Sequence, residues 1–372
     1  MSIKSTTPAQ HKSSLRNVYG TFAIEGMTIS KATRSNLDRI GSGQISWQEV
    51  VEELHTKYAP DEWVDRSLPQ EGEVLTFLDS MTNYLPDQPY FERFSNMAAQ
   101  ELNAMQLLGQ MQHTKADALL DCTVFDVAEE QISSWILNRL LEENTSACLK
   151  GRSIKQICEE RSKTYFGSKP ARQNRYSLLA NACTVLESLH FTPADGIDAL
   201  AAQYKDSAWQ VDTAYRKFYL NYGKIDRTQE IEKLQSLVEK VYTNYFLDPL
   251  AVRWCQSLSR DLTSFQTERQ THFYSKNVSG TRERMVVFIS DAMRYEVGQQ
   301  LFEMLTMDAK CSAKLTPAVS TVPSYTQLGM AALLPHVSLE LQPDSTVTIL
   351  GKKTVGTDAR EAILLVHPCR KC

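Results

Sequence analysis

Apolar residues recur at helical spacing through most of the first 275 positions, and the chain changes texture only near Met285. Ile132, Trp135, Ile136 and Leu140 share one face of an α-helix. Ile231, Leu234, Leu237, Val238, Val241, Tyr242 and Tyr245 form a longer stripe of the same kind, which Pro249 is expected to end. Such stripes predict helices that bury one side in a core. Three shorter helices are predicted nearer the start. The first runs from about Ser13 to Glu25 and stops at Gly26; the second is capped by Thr28 or Ser30 and continues to Ile40. The third begins after the GSGQ break (Gly41 to Gln44), where Ser46 and Glu49 have capping-box spacing, and turns Trp47, Val50, Val51 and Leu54 inward. The polar stretch APDEWVDRSLPQEG that follows reads as a boundary.

From Met285 the pattern becomes that of an α/β sheet. MVVFIS (Met285 to Ser290) is a short continuous apolar run, predicted to be a parallel strand buried on both faces. DAMRYEVGQQLFEML follows at helical spacing; then come AKLTPAV as a strand, TVPSYTQLGMAALLP as a loop leading into a helix, and TVTIL (Thr346 to Leu350) as a third strand. The predicted fold class is therefore mainly α over the N-terminal two-thirds, followed by the start of an α/β sheet.

Composition narrows the classes of function only a little. The chain has 372 residues, 42% hydrophobic and 23% charged, with a net charge of −4. That balance supplies no global attraction to nucleic acid or to anionic membrane. Neither a signal-peptide pattern nor an apolar run of about 18 residues is present, which predicts a cytoplasmic protein without membrane partners. Eight scattered cysteines predict reduced thiols, not a disulfide framework.

Candidate chemistry lies at the strand ends, where open α/β sheets bind their ligands. Asp291 directly follows MVVFIS and is placed to bind a cation. In TVPSYTQLGM, Pro323 stiffens the approach and Ser324 or Thr326 falls at the first turn of the next helix, where free N–H groups favour a phosphoryl oxygen. Beside a metal held by Asp291, the Thr326 hydroxyl gains the chemistry of a nucleophile on phosphorus. Read without further context, an Asp after a strand is more often a helix cap, and a Ser or Thr before a helix is usually one too.

FISDAMRYE (Phe288 to Glu296) and STVPSYTQLGMAALLP (Ser320 to Pro335) resemble the PglZ domain. DTAYRKFYLNYG, VEKVYTNYFLDPLAVRW and RQTHFY upstream resemble the preceding region of BREX phage-defence phosphatases of PglZ type A, so the likeness spans roughly Pro86 to Leu365. The resemblance implies an alkaline-phosphatase-like fold and phosphatase or phosphodiesterase chemistry with two divalent metal ions, zinc by expectation. It also implies BREX proteins as partners and admits nucleic acid as a substrate. It places Asp291 at the first metal ligand and Thr326 at the nucleophile, with Ser324 as the alternative. After Thr326 the chain offers His336, His367, Glu340, Asp344, Asp358 and Glu361, none in a pattern that matches the remaining ligands. The likeness fades at GTDAREAILL, so the expectation is a catalytically incomplete fragment, active only if a second polypeptide complements it.

The start of the chain resembles the VbhA-type antitoxins of Fic toxins. Thr21, Glu25 and Gly26 fit their inhibitory Ser/Thr-x-x-x-Glu-Gly/Asn motif, which implies that Glu25 pairs with an arginine of the Fic site. This gives the second functional expectation, a binding protein whose partner is a Fic toxin. The predicted organisation is an antitoxin-like unit at 1–59, a boundary at 60–85, a helical region at 86–280 and a partial phosphatase-like domain at 281–372. His367, Cys369 and Cys372 make only half of a metal site, and GKKT at Gly351 lacks the earlier glycine of a phosphate-binding loop.

Overall fold

The computed structural model describes residues 31–42, 44–46, 49–50, 53, 71–114, 116–261, 265–281 and 284–366. They fall into two compact units divided after Leu102.

The first unit holds α1 (Lys31–Gly41), α2 (Glu71–Asn83) and α3 (Gln88–Glu101). α1 ends at the expected glycine. Beyond it, the Ser46 hydroxyl accepts from the Glu49 N–H at 3.2 Å while the Glu49 carboxylate accepts from the Ser46 N–H at 2.7 Å, the reciprocal pair of a capping box. Arg39 joins this region to Glu53 by a bidentate ion pair. α2 is helical within the stretch read as a boundary, and α3 starts with Pro89 in its first turn, where the missing N–H costs nothing.

The second unit opens with α4 (Ala104–Thr114), the short α5 (Ala116–Leu119) and α6 (Asp126–Leu141). α6 carries Asp126 and Glu129 in its first turn, where acids favour the helix dipole, and buries Ala128, Ile132, Ile136 and Leu140 at four-residue spacing. A hairpin, β1 (Cys148–Leu149) and β2 (Arg152–Ser153), turns through Lys150 and Gly151, both at positive φ as a tight two-residue turn requires. α7 (Ile154–Arg161) starts from the Ser153 capping box with Gln156. α8 (Pro170–Leu186), α9 (Ile197–Gln203), α10 (Trp209–Tyr222), α11 (Gln229–Val241) and α12 (Asp248–Asp261) complete the bundle, around a core that includes Tyr176, Phe218 and Phe246.

Pro249 does not end the long stripe. The helix widens into a π-turn at Tyr242–Leu247 and continues as α12 with Pro249 in its first turn. The wider turn absorbs the clash that a proline ring makes with the carbonyl four residues back. Most of the predicted stripe is buried (Ile231, Leu234, Val238, Val241, Tyr242), whereas Tyr245 is exposed.

A buried polar knot ties α6 to α7 and α8. Glu129, 0% exposed, accepts from Arg161 Nε at 3.0 Å, from Arg161 Nη2 at 2.5 Å, from Tyr176 at 2.5 Å and from Thr164 at 2.7 Å. Arg161 also donates to the carbonyls of Leu120 and Cys122. Every polar atom of the pair is used, which is the condition for burying charge.

After α12 the chain is less regular. α13 (Tyr295–Thr306), α14 (Thr326–Ala332), β3 (Glu340–Leu341), β4 (Val347–Ile349), β5 (Lys352–Lys353) and α15 (Thr357–Val366) follow. The mainly helical part succeeded by a small sheet agrees with the predicted class, but the sheet differs in kind. Its three strands are antiparallel in the order β3-β4-β5. MVVFIS forms no strand and pairs with none among the described residues, and its side chains are exposed instead of buried (Val286 67%, Phe288 92%). The run has the apolar content of an interior strand without strand neighbours among the described residues. AKLTPAV forms only one parallel bridge, from Val319 to Arg269, and TVTIL contains β4. GKKT forms the β4–β5 hairpin, with Leu350 and Gly351 at positive φ.

The six cysteines among the described residues are free thiols, and burial pushes those of Cys122 and Cys183 upward, the latter to about 12. No helix among the described residues is long and apolar enough to cross a membrane.

Candidate functional site

The loop after MVVFIS turns sharply at Ala292, whose φ of 55° lies in the left-handed region that residues with a Cβ rarely adopt. The Asp291 carboxylate accepts from the Ala292 N–H at 3.0 Å, which fixes it beside the turn.

Thr326 arrives from a different direction. It is the first residue of α14, after Tyr325 in an extended conformation. α14 is seated on one side by Leu328 and Ala331 against Val347 of β4, and the Tyr325 hydroxyl donates to the Ser345 carbonyl at 3.0 Å. On the other side Gln270 forks across the loop: its carbonyl oxygen accepts from the Thr321 N–H at 3.4 Å and its amide donates to the Gly329 carbonyl at 3.3 Å. Backbone bonds from Gln270 to Val319 and from Val319 to Glu268 hold the start of the same loop.

These constraints bring the two predicted residues together. Thr326 Oγ1 lies 3.4 Å from each Asp291 oxygen, at the long end of hydrogen bonding, and both side chains face solvent. Ser324 is exposed two residues earlier. Thr21, Glu25 and Gly26 lie outside the described residues, as do His367, Cys369 and Cys372.

Three of the candidates beyond Thr326 are engaged in local structure. His336 Nδ1 is 2.7 Å from the Leu334 carbonyl, Glu340 accepts from Thr348 across the β3–β4 pair, and Asp344 caps its own turn through Thr346. Among the described residues no group of three His, Cys, Asp or Glu side chains converges as a metal site would require. One carboxylate and one hydroxyl do not fit a two-metal centre by themselves.

Sequence reasoning missed the support beneath the site. Glu296, 0% exposed in the first turn of α13, lies 2.8 Å from Arg216 of α10. Its other oxygen is 3.0 Å from Arg294, a charge contact without the alignment of a hydrogen bond. Thr213 completes the set at 3.4 Å. Beside it, Asp212 accepts from Tyr242 at 2.9 Å and from Tyr204. An acid so early in a helix reads as a dipole partner on the surface, and only its burial against α10 marks it as an anchor.

Residues 273–370, the segment that holds Asp291 and Thr326, match an alkaline-phosphatase-like domain family. The family is the BREX system PglZ alkaline phosphatase-like domain, and the likeness to its model is confined to this segment. Over 306 residues the chain is 27% identical to the alkaline phosphatase-like protein PglZ of Bacillus cereus (strain H3081.97), a match that takes in 79% of this chain and 35% of that relative. It is 29% identical over 310 residues to the alkaline phosphatase-like protein BrxZ of Escherichia coli O9:H4 (strain HS), covering 76% of this chain and 35% of the relative. The chain thus spans about a third of the length of these curated relatives. No solved structure matches it.

Proposed function

We propose that this chain supplies the nucleophile-bearing part of a BREX PglZ phosphatase or phosphodiesterase, with Thr326 at the nucleophile position, Ser324 as its alternative, and Asp291 as the first ligand of a divalent metal, zinc by family likeness. The observation that carries the reading is the approach of Thr326 Oγ1 to within 3.4 Å of both Asp291 oxygens, from two loops that meet at 35 residues' separation. In metal-dependent phosphoryl transfer the cation lowers the pKa of the attacking hydroxyl and balances the charge that develops on phosphorus. Asp291 by itself orients the hydroxyl, because a carboxylate is too weak a base to strip the proton from an alcohol.

The described residues gather no group of three ligating side chains, so the chain alone is expected to be catalytically silent. Phosphodiesters, including those of nucleic acid, and other BREX proteins are the substrate and partner classes that accompany this reading.

Two measurements test it. The purified chain, assayed with p-nitrophenyl phosphate and bis(p-nitrophenyl) phosphate in zinc or manganese, should hydrolyse neither above the metal-only blank; turnover would refute the silence. The chain mixed with the unmatched remainder of the Bacillus cereus relative should gain activity that Thr326→Ala and Asp291→Ala each abolish. Hydrolysis that persists in Thr326→Ala but is lost in Ser324→Ala would move the nucleophile to Ser324; persistence in both sinks the assignment.

A further inference from the structure

A cavity of about 580 Å³ opens beside the loop that carries Asp291, within the size range of small-molecule sites. Met293, Arg294 and Tyr295 form one wall, so it begins two residues, at most about 7 Å of chain, from Asp291. The π-turn after α9, the face of α12 and the segment from Pro317 to Ser320 form the others.

Its lining combines two chemistries. Trp254, Tyr204, Tyr295 and Leu250 supply aromatic and aliphatic surface, and Arg294 and Lys205 supply positive charge. No carboxylate is among the lining residues, although Asp206 and Glu296 belong to the same elements. Behind the lining, Glu296 contacts both Arg294 and Arg216, with Asp212 close by, and Arg294 keeps 60% of its side chain exposed, so its guanidinium stays accessible from the cavity. The Tyr204 hydroxyl is committed to Asp212, and its ring meets the Tyr295 ring at a centroid distance of 6.1 Å in an edge-on arrangement. What these tyrosines offer the cavity is ring surface.

Aromatic rings flanked by cations, with no acid in the lining, suit a planar aromatic group that carries a negative charge. Bases stack on such rings, and guanidinium and ammonium groups hold phosphate oxygens. We propose that this cavity seats the base and sugar of a nucleotide-class organophosphate, with its phosphoryl end toward the Asp291–Thr326 pair; the placing of that end rests on the function proposed above. Lys205 and Arg294 assist at the phosphate, and Trp254 is the stacking surface.

The test is calorimetric titration of the full chain, without metal, with AMP, adenosine and inorganic phosphate. AMP should bind, with adenosine and phosphate each weaker by about tenfold or more, since each lacks one half of the recognition. Trp254→Ala should weaken AMP and adenosine alike by about tenfold, the scale of a lost base–aromatic stack. Lys205→Gln, an exposed change that leaves the core untouched, and Arg294→Gln should weaken AMP severalfold and leave adenosine unchanged. Phosphate binding as tightly as AMP, AMP without measurable binding, or AMP affinity indifferent to both Trp254→Ala and Lys205→Gln would each overturn the proposal. AMP binding as described, together with hydrolysis by the complemented chain that ignores Thr326 and Ser324, removes the nucleophile assignment and leaves the cavity. Thr326-dependent hydrolysis without AMP binding removes the cavity alone.

Discussion

The helical bundle from α6 to α12 and the stretch from Met285 to Val366 are built from similarly apolar sequence, yet they meet water differently. In the bundle Ile132, Ile136, Leu140, Ile231, Leu234 and Val238 are fully buried. In the later stretch the strand-like run Val286, Val287, Phe288 and Ile289 is exposed. A helix satisfies its own backbone and needs a neighbour only for one stripe, so a few helices close a core among themselves. A strand satisfies nothing alone and needs partners on both edges and, when apolar on both sides, on both faces. The difference between the regions lies in the number of neighbours each element requires.

The strongest test of the bundle removes one member of its buried ion pair. Arg161→Met leaves Glu129 buried without its cation and should cost about 3–5 kcal/mol in chemical denaturation. Replacing both, as Arg161→Met with Glu129→Leu, should recover much of that loss, because two apolar side chains need no hydrogen-bond partners. A double variant as unstable as the single would mean that the knot is held by something other than the uncompensated charge. Next in size is Ile136→Ala, fully buried in the α6 stripe, expected to cost about 2–5 kcal/mol through lost burial and the cavity left behind.

A smaller and more local effect should appear on acidification. Asp198 of α9 accepts from the Gln266 N–H at 2.9 Å, from the Thr267 N–H at 2.7 Å and from the Thr267 hydroxyl at 2.6 Å, pinning the segment that leads into the Gln270 fork. The Thr267 hydroxyl first, then the backbone donors, hold its carboxyl below the usual aspartate value. A depressed folded-state pKa means that the stabilisation is complete above the unfolded value of about 3.9 and fades as pH falls through the lower folded value. Amide exchange at Gln266 and Thr267 should therefore accelerate selectively below about pH 4. Asp198→Asn should exchange faster at neutral pH and lose this acid dependence.

Much of the helical structure was legible in the sequence because helical periodicity is local. The stripe of α6, the capping box at Ser46 and the glycine that ends α1 require only residues a few positions apart. Pro249 was misread because its effect depends on the turn before it, and the π-turn at Tyr242–Leu247 has no local signature as plain as a proline. MVVFIS was misread for the opposite reason: apolar continuity states what surroundings a strand suits, not whether they are present. Asp291 and Thr326 stood out because one follows an apolar run and the other opens a helix. Glu296, Gln270 and the cations of the cavity did not, since their roles arise from contacts tens of residues away, such as Gln270 with Gly329.

The smallest change in stability is expected where the exposed apolar run is altered, and there the contrast between the regions is sharpest. Phe288 is 92% exposed, so Phe288→Ser removes almost no buried surface and should shift the denaturation midpoint by no more than about 0.5 kcal/mol. Its effect should appear in association. An apolar segment without strand partners presents unpaired N–H and C=O groups beside hydrophobic side chains, the combination by which sheet edges recruit other chains. Sedimentation velocity should show the parent chain self-associating as concentration rises, with Phe288→Ser shifting the distribution toward monomer. Ile136→Ala should do the reverse, lowering stability without relieving association. If Phe288→Ser instead destabilises the fold by as much as the core substitution, then Met285–Ser290 is packed in solution, and the distinction between a bundle closed on itself and a strand awaiting neighbours fails.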